Sequence, residues 1–567
     1  MGTSDRRPYE TATALNQALL DECQDNLANR IEMIAEIEVP SNTILASDRA
    51  KYVGGVFYPP RVTFPIIQKT VGEWLSGELQ FSELKLEVSN VDGEYSRWLP
   101  GGADYDGFIG RNVVVKVGLA ELASSYTEIF RGKVTDVGGF ERNTSTFILT
   151  CRNDFDDINT NILPNQVLID DDWPDIEDSF VGLGVPVIYG DWTAYLRPEA
   201  PAVPAFPVNG TNAGVLAGTT DVRCVISSVP LKSVDTSSVT LRRGEDYYTF
   251  ASSDISIVGG TNNQVIDIQQ GNLMIDGSPW QYGAGDEFYL KCVGVDLSGY
   301  DDNIVWQARD ILIRFGGLAS GDFDANWATY RDKSTPTESD IAGVLSRVWI
   351  QESQEVLAYA LSMLEQVRLE AFISRDQKLK INSLHLDDFE ASPSYEVRNW
   401  DAVRGTFKPM TDDLNNFNRA KGDFDFDPSK GEARLSTPFY RNNAAITQAG
   451  REISKLVVFP NLYEIGDVTR NLKEILKLAS AYSERIDVTL TPRALLLDVG
   501  DFVSVNVNIG SVQLDKTPAM IRTLGYDPQG LAIPVRFWSF QMVPFGGWSP
   551  GYSGITGGST ATITQET

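Results

Sequence analysis

The sequence contains a single histidine, His385, and this scarcity limits the chemistry that its side chains could perform. Histidine is the usual general base near neutral pH and the commonest metal ligand. Ser-His-Asp and Cys-His catalytic sets and histidine-rich zinc sites therefore have very little room here. His385 lies in the segment Leu384–Asp387, and we interpret it as a strand-end histidine whose hydrogen bonds are satisfied within the fold.

The motifs of nucleotide-driven and hydrolytic enzymes are absent from the sequence, including GxxxxGK[ST], a GxGxxG before a helix, HExxH and GxSxG. The segment Asp423–Asp427 alternates aspartate with phenylalanine and resembles the start of a calcium loop. An EF-hand loop needs glycine at its sixth position and glutamate at its twelfth, where this chain has Pro428 and Arg434. We therefore assign no metal or cofactor to this segment.

Paired carboxylates for glycoside hydrolysis stay open as a possibility, because among 77 acidic residues some pair always lies at a suitable separation by chance. That abundance makes any chosen pair uninformative. We expect that the chain is not an enzyme, and we assign no catalytic, cofactor-binding or metal-binding residue.

Four cysteines, Cys23, Cys151, Cys224 and Cys292, lie far apart without a CxxC pair, so neither a disulfide framework nor a zinc site is expected. We interpret them as reduced core residues, in agreement with synthesis in a bacterial cytoplasm. Five tryptophans raise a different possibility, because aromatic faces stack on sugar rings: Trp173, Trp192, Trp280, Trp306 and Trp327. Most tryptophans in β-rich proteins are core or interface residues, and we favour that interpretation.

The net charge of −29 results from 77 acidic and 48 basic residues, and it argues against nucleic-acid binding. Binding to DNA requires clusters of Lys and Arg that neutralise phosphates, whereas the field of this protein has the opposite sign. Two interpretations remain. The charge either keeps the protein soluble or lines an acidic lumen through which DNA slides without sticking.

Hydrophobic periodicity predicts a mainly β chain with a few helices. Leu15, Leu19, Cys23 and Leu27 recur every four residues as in a helix, and the segment from Ile31 to Val39 then alternates as in a strand. Further alternating runs predict short strands throughout the chain, at 84–88, 113–117, 147–151, 239–241, 289–293, 503–507 and 533–543. The acid-dense stretch from Asn165 to Asp178 is predicted to be a solvated loop or linker.

Three helices are predicted with clear apolar stripes. The first carries Ile304, Ala308, Ile311, Leu312 and Phe315 and ends at Gly316-Gly317. The second spans Leu357 to Val367 and leads into a hairpin with strands at 369–373 and 379–381, whereas the third carries apolar residues from Leu472 to Tyr482. No apolar run approaches the length of a transmembrane helix, and the polar start of the sequence is unlike a signal peptide, so we expect no membrane-spanning segment.

The predicted fold class is mainly β with smaller α+β parts, in a multidomain chain that has two barrel-like β domains, an inserted β-sandwich and a helix-containing α+β domain. The predicted domains run along the chain as an N-terminal arm (1–45), a first β-barrel domain (46–185), the inserted β-sandwich (186–300), the α+β domain (301–399), a second β-barrel domain (400–545) and a flexible C-terminal tail (546–567).

The order of several segments resembles the tail-hub and tail-tip proteins of tailed bacteriophages. In the first barrel-like region these segments are Gly55 to Tyr58, Leu84 to Gly93, Gly110 to Gly118, Glu128 to Val134, and Phe147 to Arg152 leading to Leu163-Pro164. Two later stretches are similar as well, the helix end Asp310 to Leu318 and the turn Leu495 to Asp501 before the strand Phe502 to Val507. The resemblance covers about Ile31 to Pro544, excluding the insert from Pro198 to Val295, and it rests on order and spacing.

This resemblance implies a baseplate hub, a structural protein of the virion at the distal tail tip that is assembled in the bacterial cytoplasm. Proteins of this kind form homotrimers whose barrel-like domains, here about Tyr52 to Val185 and Trp400 to Pro544, alternate in a ring with pseudo-six-fold symmetry. The implied partners are a distal tail or tube protein, a tape measure protein, and spike or fibre proteins. DNA would pass through the lumen during ejection without specific binding.

Two alternatives remain at this point. The chain could be a receptor-binding tail protein that attaches to host carbohydrate through the inserted domain, or a tail-borne glycosidase that acts through carboxylates.

Overall fold

A computed structural model provides the three-dimensional structure of the chain. It describes residues 31–40, 42–71, 83–99, 101–104, 107–119, 122–139, 145–169, 172–173, 176, 178–193, 203–208, 221–259, 264–283, 285–332, 343–384, 395–412, 417–428, 430–480, 482–509, 512–527, 532–541 and 563–565. The helix predicted from Leu15 to Leu27 and the single histidine, His385, lie outside these residues.

A seven-stranded antiparallel sheet forms the N-terminal part and curls into a nearly closed barrel. The strands of this part are β1 (Ile31–Val39), β2 (Asn42–Ser47), β3 (Lys51–Val53), β4 (Val56–Tyr58), β5 (Val62–Thr63), β6 (Ile67–Thr70), β7 (Leu84–Ser89), β8 (Asn112–Leu119), β9 (Leu122–Gly138), β10 (Thr146–Asn153) and β11 (Ile162–Leu163). The order in the sheet is β2-β1-β8-β9-β10-β7-β5. The first sheet therefore begins at Ile31, within the segment assigned from sequence to the arm, because β1 pairs along its length with β8.

Alternation of residue type explains how these strands form one wall of a barrel. In β1, Met33, Ala35 and Ile37 are buried, whereas Glu36 on the outer face is joined to Lys116 of β8 at 2.7 Å. Successive side chains of a strand point to opposite faces, so this pattern directs the apolar residues into the barrel. The strands predicted at 84–88, 113–117 and 147–151 are confirmed as parts of β7, β8 and β10.

A second seven-stranded sheet follows. The strands of this part are β12 (Val187–Tyr189), β13 (Val203–Pro207), β14 (Asp221–Ser227), β15 (Ser233–Arg243), β16 (Asp246–Thr249), β17 (Ile255–Gly259), β18 (Gln264–Gln269), β19 (Met274–Ile275), β20 (Ser278–Pro279) and β21 (Glu287–Val293). The sheet order is β16-β15-β21-β13-β14-β18-β17. Residues Val203–Ala205 of β13 pair with β21 and Phe206–Pro207 pair with β14, so β13 joins the two halves around a separate core.

The helical part confirms two predicted helices and their hairpin. Its elements are α1 (Ile304–Arg314), α2 (Asn326–Asp332), β22 (Val348–Ile350), β23 (Gln354–Glu355), α3 (Val356–Glu365), β24 (Leu369–Ile373) and β25 (Leu379–Ser383). The side chain of Asn303 accepts a hydrogen bond from the backbone N–H of Trp306 at 3.0 Å and so caps α1. The apolar stripe of α1 packs against α3, and β24 pairs antiparallel with β25.

The C-terminal part contains the second barrel-like sheet and a smaller sheet. Its elements are β26 (Tyr395–Arg398), β27 (Lys408–Asp412), β28 (Arg419–Asp427), β29 (Glu432–Ser436), β30 (Tyr440–Asn442), α4 (Asn443–Ala449), β31 (Ser454–Phe459), α5 (Ile465–Ser480), β32 (Tyr482–Leu490), β33 (Phe502–Ile509), β34 (Val512–Tyr526), β35 (Ile533–Gln541) and β36 (Ile563–Gln565). Five 3₁₀ helices complete the described elements: Ser96–Trp98, Asp154–Thr160, Ser252–Asp254, Ser320–Asp322 and Pro492–Leu496.

The barrel-like sheet has the order β26-β33-β34-β35-β32-β27, and the smaller sheet consists of β29, β28, β30, β36 and β31. Except for β36, the strands of the smaller sheet lie with α5 between β27 and β32 in sequence, within the range 400–545 predicted as one barrel. Their apolar residues share a core with α1 and α3, because α5 packs on β28 and closes over that core.

Two further predictions differ in detail. Tyr482, predicted on the third helix, instead begins β32, because it pairs with Gln541 of β35. Within the predicted flexible tail, Ile563–Gln565 forms β36, which pairs antiparallel with β30 of the same chain.

Candidate functional site

The two barrel-like sheets are joined by a strand that belongs to one sheet in sequence and to the other in space. β6 follows β5 of the first sheet, yet it pairs antiparallel with β34 of the second, with Lys69 opposite Leu524 and Ile67 opposite Tyr526. The backbone N–H of Val71 continues this contact by donating to the carbonyl of Arg522 at 2.8 Å.

The cores of the two barrel-like sheets are continuous as well. Buried side chains of both sheets form one hydrophobic cluster, in which Val115 and Phe147 from the first sheet belong with Val505 and Phe537 from the second. Protein interiors are close-packed, so side chains of one sheet fill the space against those of the other. The two barrel-like sheets therefore share one core.

The turn from Asp498 to Asp501, singled out from sequence, is the place where the β24–β25 hairpin contacts the second barrel-like sheet. Asn382 of β25 donates its side-chain N–H to the carbonyl of Gly500 at 2.6 Å, and the backbone N–H of Arg375 donates to the carboxylate of Asp498. Gly500 has φ +79°, and a Cβ atom there would lie 2.4 Å from Cζ of Phe372. Only glycine suits both the backbone conformation and the space.

Charged groups are buried around this junction. Lys69 of β6 is 8% exposed, and its Nζ donates to the carbonyl of Ser374 at 3.0 Å. Arg522 of β34 forms an ion pair with Glu370 of β24, each side chain being 10% exposed. Burial lowers the pKa of Lys69 and raises that of Glu370, although Arg522 opposes the latter shift.

The carboxyl of Asp501 at the junction also has a raised pKa. Burial, with a smaller contribution from the charge of Asp498, raises the pKa of Asp501 from 3.8 to about 6. The backbone N–H of Asp498, which donates to Asp501 at 2.9 Å, and the charges of Lys380 and Arg375 oppose this shift. The junction is a structural network, and its groups hold the hairpin, β6 and the barrel together.

A second junction connects the inserted sheet to the rest of the chain through Arg347, which is 8% exposed. Its Nε donates to the carbonyl of Asp191 at 2.6 Å, and its guanidinium lies 3.7 Å from the ring centre of Tyr463. Asp425 lies 3.9 Å from Arg347 and 2.8 Å from Arg434. Asp425 thus belongs to a strand and to an ion-pair cluster, which is the role that the structure gives to the segment Asp423–Asp427.

Neither junction was predicted from the sequence. Lys69, Glu370 and Arg522 are charged residues within otherwise apolar or alternating strand segments, and that placement is the only local signal. Their partners lie far away in sequence, 305 positions for Lys69 and Ser374 and 152 for Glu370 and Arg522, so spacing could not have paired them.

The cysteines within the described residues are buried and free, namely Cys151, Cys224 and Cys292. Burial raises the pKa of all three thiols, that of Cys151 to about 12. Thiols in such surroundings are poor nucleophiles and metal ligands. Cys23 lies outside the described residues.

The five tryptophans considered for sugar binding lie in packed surroundings. Trp192, Trp280 and Trp327 are buried, and their indole N–H groups donate to Tyr189, Asp286 and Leu379 respectively. Trp173 is half-buried against a small apolar cluster. Trp306 lies between the guanidinium groups of Arg309, at 4.7 Å, and Arg331, at 4.5 Å.

One exposed apolar surface lies on a hairpin between the first sheet and the insert. Leu168 is buried and exchanges backbone hydrogen bonds with Gly182 and Leu183, both at 2.8 Å. Four aliphatic residues next to Leu168 and Gly182 on this hairpin are 38–44% exposed. We call them the aliphatic patch: Val167, Ile169, Val181 and Leu183. Exposed Asp172 and Asp178 belong to the same connection. Grouped apolar residues on a surface are typical of a contact with another protein.

The described residues contain neither a cluster of metal-binding side chains nor a membrane-spanning helix. Among the residues that the structure describes, no three His, Cys, Asp or Glu side chains are placed to bind a metal ion together. The helices in the described ranges are all too short or too polar to cross a membrane.

Comparison with known proteins gives matches at the level of three-dimensional structure. No family model matches the sequence, and no curated protein matches it. The tail protein from Neisseria meningitidis MC58 aligns with 90% of this chain and 97% of its own, at a TM-score of 0.40 and 8% identity.

Two further structures are similar to parts or most of the chain. The 43 kDa tail protein of prophage MuSo2 from Shewanella oneidensis aligns with 90% of this chain and 98% of its own, at a TM-score of 0.39 and 10% identity. A chain from the virion of a native gene transfer agent particle aligns with 64% of this chain and 85% of its own, at a TM-score of 0.35 and 12% identity. These three solved structures are tail and virion proteins.

Proposed function

We propose that this chain is a structural hub protein of a bacteriophage tail, located at the distal end of the virion, that forms a homotrimeric ring. The observation that carries the proposal is the union of two barrel-like sheets in one chain by β6 and a shared core. Three copies of such a chain supply six barrel-like modules at fixed relative positions. A ring of this kind can meet a six-fold tail tube on one side and a three-fold spike or fibre on the other.

The charge and the exposed surface agree with this role. A net charge of −29 suits a bore that must let DNA pass without phosphate contacts. The aliphatic patch suits a contact between copies, since leaving four neighbouring aliphatic side chains in water is unfavourable. A cyclic ring uses such a patch on each copy against a different surface on the next.

Light scattering on the purified full chain tests the proposal. The expected mass is three times 62.5 kDa, and electron microscopy should show a ring with six lobes. Antibodies against the chain should label the distal tail end of intact particles. A monomer at all concentrations, or label along the tail shaft, would contradict the proposal.

The proposed role includes no enzymatic activity and no carbohydrate recognition. Incubation with purified bacterial cell wall should release no soluble sugar, and a glycan array should give no signal with the full chain. Release of reducing sugar at a constant rate would replace the proposal by a tail-borne glycosidase.

A further inference from the structure

A stack of alternating aromatic rings and guanidinium groups lies at the partly exposed edge of the helical part, where four of its members are half-buried and Phe323 is buried. In spatial order its members are Tyr300, Arg331, Trp306, Arg309 and Phe323, which we call the arginine stack. Arg331 lies 4.1 Å from the ring centre of Tyr300 and 4.5 Å from that of Trp306. Arg309 lies 4.7 Å from the ring centres of both Trp306 and Phe323. The stack brings two positive charges together on a strongly acidic protein.

The surroundings of Arg309 leave its donors available. Its guanidinium contacts two rings, which leaves mainly the N–H groups at its edge for hydrogen bonding. Within the described ranges, no carboxylate or carbonyl oxygen accepts a hydrogen bond from Arg309. The Arg309 nitrogens are also absent from the fully buried polar atoms that lack a hydrogen-bond partner. The adjacent carboxylate, Asp310, accepts instead from Tyr189 at 2.7 Å and from Arg314 at 3.0 Å.

These contacts also make Arg309 rigid before any ligand arrives. Trp306 lies in the first turn of α1, where its backbone N–H donates to Asn303, and the ring of Phe323 packs edge-on against buried Trp327 at 5.1 Å. A planar guanidinium held in this way matches a carboxylate with two parallel hydrogen bonds, and little side-chain entropy is lost when they form. Tyr, Trp and Arg together are also the residue types most enriched among the energetically dominant residues of protein interfaces.

We infer that the arginine stack is a contact between neighbouring copies of this chain, in which the edge of Arg309 receives a carboxylate of the next copy. Charge complementarity favours this occupant, because each copy carries 77 acidic residues and no carboxylate among the described residues forms an ion pair with Arg309. An acidic sugar is disfavoured, since Arg309 and Arg331 lie against Trp306, whose ring a sugar would need for stacking. The inference rests on the proposed trimer.

Substitution of Arg309 in the full chain tests this contact. Arg309→Gln keeps a hydrogen-bonding side chain of similar length but removes the charge and the paired donors. The trimer should then dissociate at concentrations about 10- to 100-fold higher than the wild type, as measured by sedimentation equilibrium, since a charge-assisted hydrogen bond is lost. Arg309→Lys should restore part of the difference. The matched control is Arg404→Gln, an exposed arginine outside the stack, which should leave association unchanged.

The outcomes separate this inference from the proposed function. A wild-type trimer that Arg309→Gln leaves equally stable, with an unchanged melting temperature, would overturn the inference and leave the proposed function standing. A monomeric wild type would refute both. Binding of polygalacturonate by the wild type that Arg309→Gln abolishes, with unchanged association, would overturn the inference in favour of an anionic glycan site.

Discussion

Replacement of Asp501 by asparagine is expected to stabilise the protein at neutral and alkaline pH. The pKa of Asp501 is raised from 3.8 to about 6, so the folded state favours the neutral carboxyl. A carboxyl whose pKa is higher in the folded state than in the unfolded state stabilises the fold fully at a pH below its unfolded-state pKa. This stabilisation is lost as the pH rises through the folded-state pKa. Ionised Asp501 therefore costs stability above about pH 6, whereas asparagine cannot ionise and still accepts from the backbone N–H of Asp498.

The size of the effect follows from the shift. Each pKa unit corresponds to about 1.4 kcal/mol, so the shift sets an upper limit of about 3 kcal/mol at pH 8. Because the Asp501 side chain keeps some contact with solvent, we expect about 1 to 3 kcal/mol. Below pH 4 the wild type and Asp501→Asn should be nearly equal in stability.

Hydrogen exchange followed by mass spectrometry suits this measurement, because a multidomain chain need not unfold in two states. Peptides that cover the turn at 495–501 and β34 should exchange about 5- to 100-fold more slowly in Asp501→Asn at pH 8, after correction for the intrinsic pH dependence. Asp92→Asn is the control, because Asp92 is exposed and its pKa is lowered by Arg61. Equal exchange of wild type and Asp501→Asn at pH 8, or a difference of the same size at pH 4.5, would refute the reasoning.

Three further changes test the junctions and the surface. Gly500→Ala should destabilise the protein by about 1 to 3 kcal/mol or more and lower its melting temperature, since alanine meets both an unfavourable φ and Phe372. Glu370→Gln should lower the free energy of local opening of β24 and β34, measured by hydrogen exchange, by about 3 to 5 kcal/mol, because it leaves the charge of Arg522 buried without its carboxylate. Leu183→Lys should weaken the trimer in light scattering without lowering the melting temperature, since its side chain is already 38% exposed.

Each of these changes has a matched control in the chain. Gly405→Ala meets a similar φ of +83° with no atom within 4 Å, so it should cost less than Gly500→Ala. Glu287→Gln breaks an exposed pair with Arg242 and should change stability by less than about 1 kcal/mol. Val91→Lys, at a position that is 80% exposed outside the aliphatic patch, should leave the trimer intact. Equal effects within any pair would contradict the corresponding argument.

The local elements of this protein were determined by short stretches of sequence. Apart from Ile34, the residues that alternate with Met33, Ala35 and Ile37 are glutamates, and that period of two is sufficient to predict β1 and its buried face. The stripe from Ile304 to Phe315 has a period near 3.6 and ends at two glycines, which predicts α1. Both signals are local because each depends on which face of a single element meets water.

The tertiary structure decided where these elements go. Nothing in Ile67–Thr70 distinguishes a strand of the first sheet from a strand of the second, since the pairing with β34 joins positions more than 400 residues apart. The same holds for Asp501, whose raised pKa comes from burial by residues that the chain brings together only on folding. The sequence by itself therefore determined most strands and helices and the absence of recognisable catalytic motifs, whereas only long-range packing determined that the two barrel-like sheets share one core.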